Sequence, residues 1–380
     1  MQKKVAEHSD KGKGHRLVVA GGGTGGHLFP GIAIAQEFTS RDADNSVLFV
    51  NAGRPLEIEV LSGLGWPHKI INIEGIKGRG PWQQIKAASK IPAAMARAAG
   101  IVKRAKADLV LGVGGYSAGP VVAAARLMGI PTALHEQNRL PGLTNRILGQ
   151  LVDRIYLSFT ESGEYFTAGR VKFCGNPVRD EILQLAGDHQ PESKSGPFTI
   201  FIVGGSQGAS AINQAMVDAL PLLKGEATMR CVHQTGPRDL RWVQEAYAEQ
   251  GMDADARAFF TDMAARYQEA DLMICRAGAT TVAEITAVGL AALFVPFPLA
   301  TDDHQTRNAQ ALTEVGAADM IEQQHLDGQS LAGMIRNYME HRDLLVNMAS
   351  KARALGRLDA AKVIVDDITA RLASNRNREP

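Results

Sequence analysis

Three times in this 380-residue chain a short apolar run ends in a cluster of glycines that opens a helical pattern. Arg16–Ala20 leads into Gly21-Gly-Gly-Thr-Gly-Gly-His27, Asp108–Val113 into Gly112-Val-Gly-Gly-Tyr-Ser-Ala-Gly119, and Thr199–Val203 into Gly204-Gly-Ser-Gln-Gly-Ala209. A continuously apolar strand is buried on both faces, and a turn that hands it to a helix makes a βαβ unit, so parallel sheets are expected. Further strand candidates are Val47–Asn51, Lys69–Ile73, Thr132–His135, Arg154–Leu157 and Val171–Cys174, then Met229–Gln234, Ala258–Phe260, Asp271–Cys275, Ala292–Val295 and Asp319–Ile321. Between the two series lies Gly187-Asp-His-Gln-Pro-Glu-Ser-Lys-Ser-Gly-Pro197, a polar stretch that reads as a linker. The expectation is an α/β chain of two Rossmann-like domains whose parallel sheets face a central cleft. The domains are drawn at 15–178 and 198–380, joined by 179–197, after a leader or tag over 1–14; the final helices are expected to pack back towards the first domain.

Hydrophobic residues make up 45% of the chain, enough for a sizeable core, which excludes a disordered chain. Cys174, Cys231 and Cys275 are widely spaced and odd in number, so neither a disulfide framework nor a zinc site is indicated. Met1–His15 is polar and charged, without the apolar core of a secretory signal, and no apolar run is long enough to span a membrane. The formal charge of +1 argues against general nucleic-acid binding, but it hides +9 over residues 1–150, −11 over 151–350 and +3 over 351–380.

Glycine turns before a helix let backbone N–H groups approach a phosphate, and the helix adds its positive end. A lone loop could equally be a tight turn. The dinucleotide fingerprint is absent, since the second strand ends in Val50-Asn51-Ala52-Gly53 with no ribose-binding acid, which disfavours an NAD-dependent oxidoreductase. No P-loop motif occurs either. In Cys275-Arg-Ala-Gly-Ala-Thr-Thr-Val-Ala-Glu284, Glu284 stands about one turn inside a helix. Its carboxylate could accept both hydroxyls of a ribose, or simply complement the helix dipole. Further on, Asp302 or Asp303 could be an N-cap, while His304, Gln305 and Asn308 form a dense set of side chains suited to sugar hydroxyls.

Taken in order, Gly22-Gly-Thr-Gly-Gly-His-Leu-Phe-Pro30, Gly114-Gly-Tyr116, His135-Glu-Gln-Asn138, Gly175-Asn-Pro-Val-Arg179, Gly204–Ala209, Cys275–Glu284 and Asp303-His-Gln305…Asn308 resemble the peptidoglycan N-acetylglucosaminyltransferases of glycosyltransferase family 28. The resemblance covers about residues 16–370 and implies a GT-B fold. It also implies an inverting transfer of N-acetylglucosamine from UDP-N-acetylglucosamine to the C4 hydroxyl of N-acetylmuramic acid in lipid I, giving lipid II. It places the protein peripherally on the cytoplasmic face of the bacterial inner membrane. No cofactor and no bound metal are implied, Asp302-Asp303 being adjacent and divergent rather than a DxD pair. Partners beyond the two substrates would be an anionic membrane surface and cell-wall synthesis and division proteins, but not nucleic acid.

By the same resemblance Glu284 binds the ribose, and Phe260 meets uracil through its backbone. Ser206, Gln207 and Arg179 grip the donor diphosphate, and Ala279, His304 and Gln305 recognise the N-acetylglucosamine. Thr24, His27, Tyr116 and Asn138 match cleft positions of the acceptor domain, with Thr24, Gly25 and Asn138 counted in the donor set as well. Gly22, Gly23 and Glu136 join Tyr116 on the acceptor. His27 is the candidate general base, its alternative being a loop anchor or acceptor-diphosphate ligand. Glu136 is a competing carboxylate, or else a buried hydrogen-bonding turn. Rival functions are another GT-B glycosyltransferase, a UDP-N-acetylglucosamine 2-epimerase, or a non-catalytic UDP-sugar-binding scaffold.

Between Glu74 and Asp108 there is no acid, but eight basic residues: Lys77, Arg79, Lys86, Lys90, Arg97, Lys103, Arg104 and Lys106. Trp82, Ile85, Ile91, Met95, Ile101 and Val102 are interleaved, with Pro92 as an expected kink. Trp82, Ile85, Lys86, Lys90 and Arg97 are therefore assigned to a membrane-facing surface, the alternative being a helix whose apolar side packs on the sheet.

Overall fold

The computed structural model describes residues 14–71, 73, 91–186, 196–205, 207–225, 229–300 and 303–376. The first sheet contains β1 (Arg16–Ala20), β2 (Ser46–Asn51), β3 (His68–Ile70), β4 (Leu109–Gly112), β5 (Thr132–Glu136), β6 (Arg154–Leu157) and β7 (Val171–Phe173). The second contains β8 (Phe198–Val203), β9 (Met229–Gln234), β10 (Asp253–Arg257), β11 (Leu272–Cys275), β12 (Ala291–Phe294) and β13 (Asp319–Met320). Their orders are β3-β2-β1-β4-β5-β6-β7 and β10-β9-β8-β11-β12-β13, and every strand pair is parallel. Both orders reverse between the first strand of the domain and the fourth, and the crevice at that switch point is where open α/β sheets bind ligands.

Side-chain alternation builds a core on each face. In β1, Leu17 and Val19 enter one cluster and Val18 and Ala20 the other. In β8, Ile200 and Ile202 face one way and Phe201 and Val203 the other. One expected strand is displaced: Ala258–Phe260 lies beyond the ladder, and the edge strand is Asp253–Arg257, with Ala254 opposite Cys231. An edge strand needs only one apolar side, so its Asp-Ala-Asp-Ala-Arg sequence carries no apolar run. Phe260 is buried instead by edge-on packing against Phe201, with ring centroids 6.1 Å apart.

The last helix, Ala360–Arg376, lies against the helix Gly25–Arg41 of the first domain. Ile364, Val365, Ile368 and Leu372 join the core cluster of Leu17, Val19 and Phe38. Asp367 fastens it, accepting hydrogen bonds from Arg154, Tyr156, Lys172 and Arg371 at 2.9–3.3 Å.

Candidate active site

Helix starts after β1, β8 and β11 meet at a cleft of about 760 Å³. The first domain contributes Thr24, Gly25, Gly26, His27, Phe29, Gln137 and Asn138 to its wall; the second contributes Gly204, Gly205, residues 207–211, Gln234, Phe259, Arg276, Ala279, Glu284, His304 and Gln305. The two sides touch. Thr280 Oγ1 donates to Gly26 O at 3.1 Å, and the buried Asn308 donates to Asn138 Oδ1 at 3.2 Å while accepting from the Arg139 N–H at 3.0 Å.

In the first domain the first glycine cluster spends its early amides on the fold. Gly21 N–H donates to Val50 O, Gly22 N–H to Gly114 O, and Gly23 N–H to Glu57 Oε1. The placing of Gly22 and Gly23 on the acceptor therefore cannot rest on their amides, which already have partners in the fold. The amides that face no helical carbonyl are those opening the helix at Gly25 and Gly26, behind Thr24, whose side chain makes no capping bond. His27 follows in the first turn, half-buried, with Nδ1 3.0 Å from Gln137 Oε1. Its pKa lies below the ordinary imidazole value: burial lowers it most, His304 across the cleft lowers it further, and bonds to Gln137 and the Val113 backbone oppose both. Gly114 (φ +95°) makes room for the ring, since a Cβ there would sit 2.8 Å from His27 Nδ1.

Glu136 has another occupation. It is buried, and its carboxylate accepts from the Asn138 and Gly142 backbone N–H groups and from the Asn138 and Asn145 amides. Burial raises its pKa and those bonds oppose the rise. It does not line the cleft, so the turn-forming alternative replaces both its acceptor-binding and its base assignments. Tyr116 is exposed in the glycine cluster Gly112–Gly119, outside the cleft lining.

On the donor side Gln207 lines the cleft, and Ser206 lies outside the described residues. Gly208 (φ +75°) is packed so tightly under the Thr235 carbonyl that a Cβ would come within 2.1 Å of its oxygen. Gln234 ties this loop to the next: its Nε2 donates to Gly205 O, and its Oε1 accepts from the Phe260 N–H. The Phe260 N–H is therefore engaged and its ring buried, while the neighbouring Phe259 lines the cleft. Arg179 is placed differently from expectation. Its Nε and Nη2 both lie 2.9 Å from Glu284 Oε1, and it stacks 4.8 Å from the centre of the Phe29 ring. Tyr267 donates to Glu284 Oε2 at 2.9 Å. Arg179 thus orients the candidate ribose acid and itself lines the cleft. Gln305 Oε1 accepts from the Phe297 N–H at 3.0 Å, and Ala279 opens the helix Ala279–Val288.

Sequence reasoning passed over Tyr267, Gln234, Phe29 and Arg276. The last donates to Val295 O, Pro296 O and Gln323 Oε1, stacks on Phe297, and has its pKa lowered to about 10 by burial. Tyr267 carries no local signal, because only the fold brings it beside Glu284.

The glycosyltransferase family 28 N-terminal domain model matches residues 17–157, and the C-terminal domain model matches residues 199–364. The chain belongs to glycosyltransferase family 28. A Syntrophus aciditrophicus family 28 relative is 50% identical over 358 residues, spanning 93% of this chain and 98% of its own. It is named UDP-N-acetylglucosamine–N-acetylmuramyl-(pentapeptide) pyrophosphoryl-undecaprenol N-acetylglucosamine transferase. The crystal structure of Acinetobacter baumannii MurG aligns with TM-score 0.75 at 34% identity, covering 94% of this chain and 99% of that one. The fold is the GT-B arrangement expected of family 28. The UDP-GlcNAc 2-epimerase of Neisseria meningitidis, at TM-score 0.66 and 15% identity over 94% of this chain and all of its own, shares that fold.

Of the basic segment, Trp82, Ile85, Lys86 and Lys90, with Lys77 and Arg79, lie outside the described residues. Arg97 sits on the described helix Ile91–Ala105, where Arg97, Lys103 and Arg104 are exposed and Ala94, Ala98, Ile101 and Val102 are core. Pro92 is the second residue of that helix rather than a break within it. Among the described residues no group of three His, Cys, Asp or Glu could hold a metal ion, and no helix is long and apolar enough to cross a membrane.

Proposed function

We infer that this chain transfers N-acetylglucosamine from UDP-N-acetylglucosamine to N-acetylmuramyl-(pentapeptide) pyrophosphoryl-undecaprenol, the lipid I to lipid II step of peptidoglycan synthesis. The observation that carries it is the likeness, at 50% identity over 93% of the chain, to a relative named for that transfer. The cleft supplies what the chemistry needs. Acceptor oxygen attacks the anomeric carbon as the bond to UDP breaks, with inversion and an oxocarbenium-like transition state. The acceptor proton must leave and the diphosphate charge must be spread.

His27 takes the proton at Nε2. The helix Ser210–Leu223, with the 207–209 backbone before it, faces the departing diphosphate with its N–H groups and positive end. Glu284, aimed by Arg179 and Tyr267, accepts the ribose hydroxyls. His304, Gln305 and Ala279 line the sugar pocket, and Thr24, Gly25 and Asn138 close it from the first domain. The chain works at a membrane surface, because its acceptor is lipid-linked.

The test is transfer of labelled N-acetylglucosamine to a lipid I analogue. Acceptor-dependent UDP release with a β-1,4-linked product is expected. UDP release or 2-epimerised sugar without acceptor would overturn the assignment, and binding of UDP-N-acetylglucosamine without turnover would leave only a scaffold.

A further inference from the structure

The buried amide beside His27 lines the cleft and has no role in the transfer so far. Gln137 is buried, 1% exposed, and all three of its polar contacts are within 3.0 Å. Its Nε2 lies 2.8 Å from Val113 O and 3.0 Å from His135 Nδ1, and its Oε1 lies 3.0 Å from His27 Nδ1. A main-chain carbonyl accepts and never donates, so the amide face towards Val113 must be the NH2. Turning the amide over would set two carbonyl oxygens against each other. The second hydrogen of that NH2 then points at His135 Nδ1, which must be a bare lone pair, and His135 keeps its hydrogen on Nε2 near Ser158 Oγ and Gly175 O. Oxygen is thereby left facing His27, and an amide oxygen can only accept.

We propose that Gln137 is a positioning residue that holds His27 in its Nδ1–H form, leaving Nε2 unprotonated on the cleft side. Which ring nitrogen carries the proton is set by the bond the other makes. The ring nitrogen turned to Gln137 is Nδ1, 3.0 Å from its Oε1. A general base must present a lone pair to the hydroxyl, and the other tautomer would present a hydrogen there instead. Gln137 does this as a neutral group. A carboxylate in its place would orient the ring equally but would also stabilise the imidazolium. The proposal rests on His27 being the base; the tautomer itself does not.

The test is long-range 1H–15N NMR of the full chain with 15N-labelled histidine, His27 being assigned by comparison with His27→Ala. The wild type is expected to show a protonated Nδ1 and a bare Nε2 at neutral pH. A protonated Nε2 overturns the proposal whatever the kinetics show. Gln137→Leu removes the acceptor at similar volume; Gln137→Met serves if that variant fails to fold. Either is expected to lose the Nδ1–H preference and to lower kcat at least tenfold with donor KM little changed, within the roughly 10²–10⁴-fold that a positioned base contributes. A variant that keeps the Nδ1–H form and merely melts earlier would show a structural role only, and overturn the proposal. If His27→Ala retains turnover within about threefold of the wild type, the base assignment falls, while an Nδ1–H spectrum still leaves Gln137 its hold on the ring.

Discussion

His27 and Glu284 face one cleft, and their surroundings set them opposite tasks. His27 must be neutral to accept a proton. Burial, with His304 opposite, lowers its pKa, so the neutral ring persists to pH values below 6.5. The acidic limb of kcat/KM is therefore expected below pH 6.5, with a flat profile from there to pH 8; a limb at or above pH 7 would show a base other than His27. In the proposed reading Glu284 holds the ribose hydroxyls, and Arg179 at 2.9 Å with Tyr267 at 2.9 Å keeps its oxygens fixed. Hydrogen bonds to a charged group are worth about 1.5–3 kcal/mol, so Glu284→Gln should raise donor KM by roughly ten- to a hundredfold while kcat changes less. If the carboxylate only complemented the helix dipole, donor KM would stay level and stability would fall by about 0.3–1 kcal/mol. Steady-state kinetics against UDP-N-acetylglucosamine separates the two.

At the scale of elements, the glycine loops are where local sequence and tertiary packing meet. Gly208 adopts φ +75° directly under the Thr235 carbonyl, so Gly208→Ala adds backbone strain of about 1–3 kcal/mol and forces the loop away from β9. A fall in melting temperature of at least about 2 °C, with weaker donor binding, is expected in calorimetry and UDP titration. The strands before these loops were legible because a doubly buried strand announces itself by its own residues, as Phe198–Val203 does. β10 was not, because an edge strand with Asp253 and Asp255 has no such run. The bonds made by the amides of Gly22 and Gly23 were hidden for a related reason: their acceptors, Gly114 O and Glu57 Oε1, are brought close only by the fold. Gln137 stood inside a motif already singled out. Strand alternation from His135 puts it on the side of His135 and opposite Glu136, a signal that could have separated the cleft amide from the turn-forming acid.

Across the whole molecule, the C-terminal helix joins the two domains, and the uneven charge bears on the proposed membrane contact. Asp367 sits among Arg371, Tyr156 and Arg154. Burial opposes its ionisation, but hydrogen bonds from those three outweigh it and lower its pKa to about 2. A depressed carboxylate pKa stabilises the fold above the unfolded value near 3.8 and loses that contribution as pH falls towards 2. Asp367→Asn should therefore lower stability at neutral pH, and the gap from the wild type should close below pH 4, as followed by denaturant titration across pH. The membrane contact is argued from charge. The apolar side of the helix Ile91–Ala105 is core, so its attraction to lipid rests on Arg97, Lys103 and Arg104 and on the net +9 of residues 1–150. Such attraction extends only a Debye length, about 10 Å at 0.1 M salt. The chain should co-sediment with anionic vesicles at low salt, release as salt rises, and ignore zwitterionic vesicles. Each exposed base changed to Ala on this helix should weaken binding by about 1 kcal/mol, roughly fivefold. Equal binding to both kinds of vesicle would move the contact onto apolar side chains elsewhere, and binding to neither would leave the lipid-linked acceptor as the protein's sole tie to the membrane.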